Sequence, residues 1–123
     1  MNPHTQTFVA SGAIGHRRLV KFTSNDGEVA LATAATDLVI GVTDFPNGAV
    51  SGGRVDVVMF GPTEVDVGGT ITPGAYFVAD ANGKAVAAAP ATGVNNNVGG
   101  RLSVNGADGD IARCFVNPVR IQG

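Results

Sequence analysis

A chain of 123 residues is enough for one domain and too short for a second substantial one. With 44% hydrophobic and 15% charged residues, it is too apolar to stay unfolded for want of a core. Its 18 glycines and 6 prolines exclude long helices and favour an all-β fold, and ten acids against eight bases, a formal charge of -2, exclude the basic footprint of a nucleic-acid binder.

Residues 1–16 read as an extended arm. Pro3 discourages helix, Gly12 and Gly15 interrupt any period, and Phe8, Val9 and Ile14 are the arm's only sizeable apolar side chains. The arm is expected to serve attachment and to be dispensable for folding of a single β-rich domain over residues 17–123. No positively charged leader precedes an apolar run, and no stretch approaches 18 apolar residues, so neither a signal peptide nor a membrane span is expected.

From Leu19 onward, short runs of Val, Ile, Phe and Thr stand between glycine-bearing turns, which is the signature of strands and hairpins. The first predicted strands are Leu19–Thr23, Glu28–Thr33 and Leu38–Thr43. Arg54–Phe60 follows, with Val55, Val57 and Met59 on one face and Arg54, Asp56, Val58 and Phe60 on the other. Gly61-Pro62 reads as a turn, Glu64–Val67 as a short strand, and Thr72-Pro73-Gly74 as a type II turn. Tyr76–Asp80 and Lys84–Ala88 are expected to pair antiparallel across a type I′ turn at Asn82-Gly83. Pro90–Gly100, with three consecutive asparagines, reads as a surface loop, and Arg101–Val104 and Ile111–Ile121 close the domain around the turn-rich Asn105–Asp110. The sum is a compact β-barrel or β-sandwich of short antiparallel strands. A faint repeat at an offset of 56 lays Val20–Thr36 over Tyr76–Thr92, with Asp26-Gly27-Glu28 over Asn82-Gly83-Lys84. It fits either two similar hairpin units or the mutual likeness of alanine-rich strands.

Catalytic chemistry finds little support in these residues. His4 and His16 have no serine or cysteine in a nucleophile-elbow context and are expected at solvent or at an interface. Cys114, the single cysteine, cannot form an intrachain disulfide, and beside Phe115 in a predicted strand it reads as a small buried hydrophobe. Asp56, Glu64 and Asp66 meet the minimum for paired carboxylates, but the polar face of a sheet explains them better. Asn105, Asp108 and Asp110 lack the spacing and terminal glutamate of a calcium loop, and no phosphate-binding glycine motif occurs. Thus no enzyme, metal or cofactor is expected. Arg17-Arg18-Leu19-Val20-Lys21 is a basic cluster short enough to suit an acidic protein surface rather than nucleic acid.

The ordered phrases Leu19-Val20-Lys21-Phe22, Asp26-Gly27-Glu28-Val29, Thr36-Asp37-Leu38-Val39-Ile40-Gly41-Val42 and Gly53-Arg54-Val55-Asp56-Val57 resemble the head decoration, or structural cement, proteins of tailed bacteriophages. The likeness continues through Gly68-Gly69-Thr70-Ile71-Thr72-Pro73-Gly74, Ala79-Asp80-Ala81-Asn82-Gly83-Lys84 and Val98-Gly99-Gly100-Arg101-Leu102, spanning roughly residues 13–121. The final strand departs from the pattern at Asn117-Pro118 and Arg120.

What the resemblance implies is a non-enzymatic, β-rich protein on the outer surface of a phage capsid, a homo-oligomer, commonly a trimer, that clamps adjacent major capsid protein subunits. On that expectation the arm and its junction, Asn2, Pro3, Phe8, Val9, Ile14, Arg17 and Arg18, supply the capsid or inter-subunit contacts. No nucleic acid and no membrane are expected among its partners. A carbohydrate- or receptor-binding module of a virion tail or surface structure is the alternative. It would show exposed aromatics, whereas the six phenylalanines here mostly fall at core-like positions.

Overall fold

The computed structural model describes residues 4–123, and among them there is no helix. Ten strands follow in order: β1 Thr5–Ser11, β2 Leu19–Phe22, β3 Glu28–Leu31, β4 Val39–Thr43, β5 Arg54–Val58, β6 Gly61–Asp66, β7 Tyr76–Ala79, β8 Ala85–Ala87, β9 Asn95–Leu102 and β10 Ile111–Gln122. The first five close into a barrel in the order β1-β3-β2-β4-β5, and the rest form a second sheet, β6-β10-β9-β7-β8. All pairings are antiparallel except β1 with β3. The second sheet curls until Val67, just past β6, bridges Ala85 of β8, which brings its two edges together at that end.

Two apolar cores explain why the barrel strands read as nearly continuous hydrophobic runs. Val20, Val29, Val55, Val57, Ala10 and Ile14 fill the barrel interior. Leu19, Val39, Val42 and Val58 turn the other way and pack with Phe77, Ile71, Leu102 and Cys114 of the second sheet. Where β2, β4 and β5 meet, at Leu19-Val20, Val42-Thr43 and Val57-Val58, the sheet is therefore buried on both faces, and the polar side of the usual alternation is lost there. Gly41 marks a close approach of β4 to β5, because a Cβ on it would run into the Val58 carbonyl oxygen.

The N-terminal segment does not behave as a detached arm. Thr5–Ser11 is a barrel strand, in register with Arg54–Val58 on one side and Glu28–Ala30 on the other. Ile14 bridges Ala49 and is 1% exposed.

Three local expectations also need correction. Asn95–Leu102 is an inner strand rather than a loop, because Asn97 has polar partners on both sides: its Nδ2 donates to the Thr36 carbonyl and its Oδ1 accepts from Arg120 Nε. Its glycines fit where neighbours press closest: a Cβ on Gly99 would lie 2.7 Å from the Phe77 ring. Gly61-Pro62 opens β6, an edge strand where proline costs no ladder bond. The β7–β8 turn spans Ala81-Asn82-Gly83; Gly83 has φ 74° but Asn82 has no positive φ, so the turn is not type I′. The Gly83 N–H donates to the Asp80 carbonyl and the Asp80 N–H to the Lys84 carbonyl, the pattern of a three-residue loop ending in a bulge. Asp80 Oδ1 accepts from the Asn82 and Lys84 N–H groups and holds the loop shut.

By contrast, Thr72-Pro73-Gly74 forms the expected type II turn, with φ 83° at Gly74 and the Ala75 N–H on the Thr72 carbonyl. The repeat maps, within one residue, onto two hairpins, β2–β3 in the barrel and β7–β8 in the sheet.

Two carboxylates tie strands together at the barrel surface. Asp37 loses some hydration on partial burial, which opposes ionisation, but the Thr33 N–H at 2.9 Å and Lys21 Nζ at 3.3 Å outweigh it and hold the carboxyl below its ordinary 3.8. The same balance, with Thr7 and Arg54 as partners, lowers Asp56. Because the folded values lie below the unfolded ones, these groups stabilise fully above about pH 4 and lose their contribution as pH falls through the folded values. Urea midpoints are expected to be flat from neutral pH down to about 5 and to drop below 4. The drop should be shallower in Asp37→Asn.

Candidate contact surfaces

Arg17 and Arg18, expected to face a partner, are spent inside the molecule. Arg17 sits at φ 59° at the entry to β2, and its Nε donates to Asp66 Oδ1 at 2.8 Å. Arg18 Nε donates to Asp66 Oδ2 at 3.1 Å, and its Nη1 to the Asn82 carbonyl at 2.9 Å. The Asp66 N–H donates in turn to the Arg17 carbonyl. One carboxylate of β6 thus fastens the barrel to the second sheet and to the β7–β8 turn. Arg17 takes up the left-handed backbone because the buried Thr43 hydroxyl, which donates to the Gly15 carbonyl, accepts the Arg18 N–H and fixes the bend. Replacing Asp66 by alanine leaves two half-buried guanidinium groups without a counter-charge. A loss of about 1–2 kcal/mol is expected, discounted for their partial solvation, and chemical denaturation checks it.

The other arm residues are dispersed. Ile14 is core and offers no contact surface. Phe8 packs edge-on against Phe22 at 5.6 Å, Val9 is exposed, and Asn2 and Pro3 lie outside the described residues. His16 is half-buried, and its Nδ1 accepts the Phe45 N–H. That is a structural role the sequence did not suggest.

The carboxylates are occupied one by one rather than paired with each other. Asp56 is bound by Thr7 and Arg54, Asp66 by the two arginines, and Asp110 Oδ2 accepts the Ala107 N–H to close the loop before β10. No group of three or more potential metal ligands of the His, Cys, Asp and Glu types occurs among the described residues. Cys114 is buried between the sheets, and loss of hydration, more than any other influence, pushes its thiol up to about 12. Ellman's reagent is expected to leave it untouched in the native protein at mild alkaline pH and to titrate one thiol after unfolding.

The aromatics overturn the sequence expectation most clearly. Phe77 alone of the six phenylalanines is fully buried; Phe22 is 50% exposed, and Phe60 and Phe115 are each 42% exposed. They fall on two surfaces. On the barrel, Phe8, Phe22 and Leu38, the last 62% exposed, line neighbouring shallow grooves around the ion pair of Lys21 and Asp37. On the outer face of the second sheet, Pro62, Phe115, Arg101 and Tyr76 stand side by side across β6, β10, β9 and β7. Phe60 packs edge-on against Phe115 at 5.1 Å, and His4 against Phe60 at 5.3 Å. The Arg101 guanidinium lies 4.5 Å over the Tyr76 ring, and its Nη2 donates to the Tyr76 hydroxyl at 2.7 Å. A signal for this face was present in the sequence. From Ile111 to Val116, small Ala112, Cys114 and Val116 alternate with large Ile111, Arg113 and Phe115, and in a curled sheet the small set goes inward.

No protein-family model matches the chain, and no curated protein does. Among solved structures, it is similar to the head fiber gp8.5 N base of bacteriophage phi29. The two share 15% sequence identity and a TM-score of 0.64, over 97% of this chain and 98% of that one. The likeness extends through both sheets and shows a common fold.

Proposed function

We propose that this chain is a non-enzymatic structural protein of a phage virion that decorates the outside of the head. It binds the major capsid protein and stabilises contacts between capsid subunits as a symmetric homo-oligomer, a trimer at local three-fold positions. The observation that carries the reading is the end-to-end fold likeness to a protein described as a phage head fiber base. The motif resemblance of residues 13–121 to decoration proteins supports it independently of the fold. Physical support comes from the barrel's exposed Phe22 and Leu38 beside a neutral ion pair, a composition suited to a closed, self-complementary contact. Repetition over a shell multiplies a modest interface per copy into a firm clamp.

The test is a cryo-EM map of heads purified without the protein and then incubated with it. Averaged density at three-fold positions on the outer surface is expected, with three copies in mutual contact. Binding only to tails, or no density on heads, would overturn the reading. The exposed rings of Phe60 and Phe115, with the half-buried Tyr76 beside them, also favour a second reading, a glycan-binding module, for which a glycan array is the direct test.

A further inference from the structure

We infer that the outer face of the second sheet, centred on Phe115 and Arg101, is the docking surface for an acidic protein partner. The surface has a built geometry. Pro62, Phe115, Arg101 and Tyr76 are held in register by three successive strand pairings. Phe60 is braced against Phe115, and Arg101 is pinned over Tyr76 by a hydrogen bond. Side chains fixed in this way lose little freedom on binding, and aromatic and arginine side chains are the types that dominate protein interfaces.

Charge decides the partner. The four barrel cations Arg17, Arg18, Lys21 and Arg54 are all ion-paired, the first two with Asp66 of β6 and the others within the barrel. Among the described residues, no ion pair includes Arg101 or Arg113, the second of which stands two residues before Phe115 on the same face of β10. Glu64 lies opposite Arg113 on β6 but forms no ion pair with it. The face carries Arg101 and Arg113 against the carboxylate of Glu64, and this excess of positive charge beside exposed rings is complementary to carboxylates set around an apolar patch. On the proposed function, on which this inference rests, that partner is the major capsid protein.

The test compares wild-type protein, the double variant Arg101→Glu with Arg113→Glu, and a control at an exposed loop residue outside both surfaces, Val50→Ser. Each is assayed by co-sedimentation with purified heads over a range of sodium chloride concentrations. Both changed arginines are exposed, so melting should match wild type; if the reversals unfold the chain, the milder Arg101→Gln with Arg113→Gln takes their place. At least tenfold weaker binding by the arginine variant, with a flatter salt dependence, is expected, and the control should bind the heads with the wild-type salt dependence. Equal binding by wild type and arginine variant overturns the docking face but leaves the head-binding reading intact. Failure of wild type to bind heads overturns both. Glycan binding that depends on Arg101 and Phe115, without head binding, assigns the face to a sugar and overturns the protein partner.

Discussion

A variant lacking residues 1–11 is expected to lose cooperative unfolding altogether. The deletion removes β1, which supplies five register pairs to β5 and three to β3 and is the strand that closes the barrel. Both neighbours become open edges, and Ala10 and Phe8 leave the interior they help fill. An opened five-stranded barrel exposes its valines to water, a cost of several kcal/mol against a total stability of about 5–15. Melting followed by far-UV circular dichroism is the check. An unchanged midpoint would restore the view of residues 1–16 as an attachment arm, and capsid binding by such a folded truncation would then be worth measuring.

The second large effect is expected at Gly41. Alanine adds one carbon, which meets the Val58 carbonyl oxygen and lies 2.8 Å from Val57 Cγ1. The carbonyl belongs to β5, whose neighbouring strands are β4 and β1. It cannot swing aside as the end of a long side chain would, so β4 must separate from β5. A loss of roughly 3 kcal/mol or more is expected from urea denaturation. Alanine at Gly12, where nothing lies within 4 Å but φ is 82°, is a useful contrast. It isolates backbone strain of about 1 kcal/mol from collision. Comparable losses at the two positions would show that β4 and β5 are not packed as closely as described.

These two experiments mark the division between what the chain determines locally and what it determines only when folded. Turn chemistry is local. Proline followed by glycine at 73–74 makes its type II turn, and alternation places Val55 and Val57 inward on β5, because the φ of proline, the freedom of glycine and the pleat of a strand act within a few residues. The all-β class follows from the same grammar, as does the buried position of Cys114.

Three other features are settled by distant neighbours. Thr5–Ser11 has weak strand grammar and becomes a strand because β3 and β5 offer two open edges that a barrel must close. Asn95–Leu102 has loop composition and becomes an inner strand because Thr36 and Arg120 supply hydrogen-bond partners for Asn97, and Phe77 and Phe115 leave no room for side chains at Gly99 and Gly100. The candidate surface follows the same rule. Arg17 and Arg18 looked available in a string of letters, and Asp66, 48 residues beyond Arg18, takes them both. Phe60 and Phe115 looked like core, but the register of β10 in the second sheet turns Ala112, Cys114 and Val116 inward against Phe77 and Leu102, which already fill that core, and the pleat leaves Phe115, with Phe60 against it, facing water.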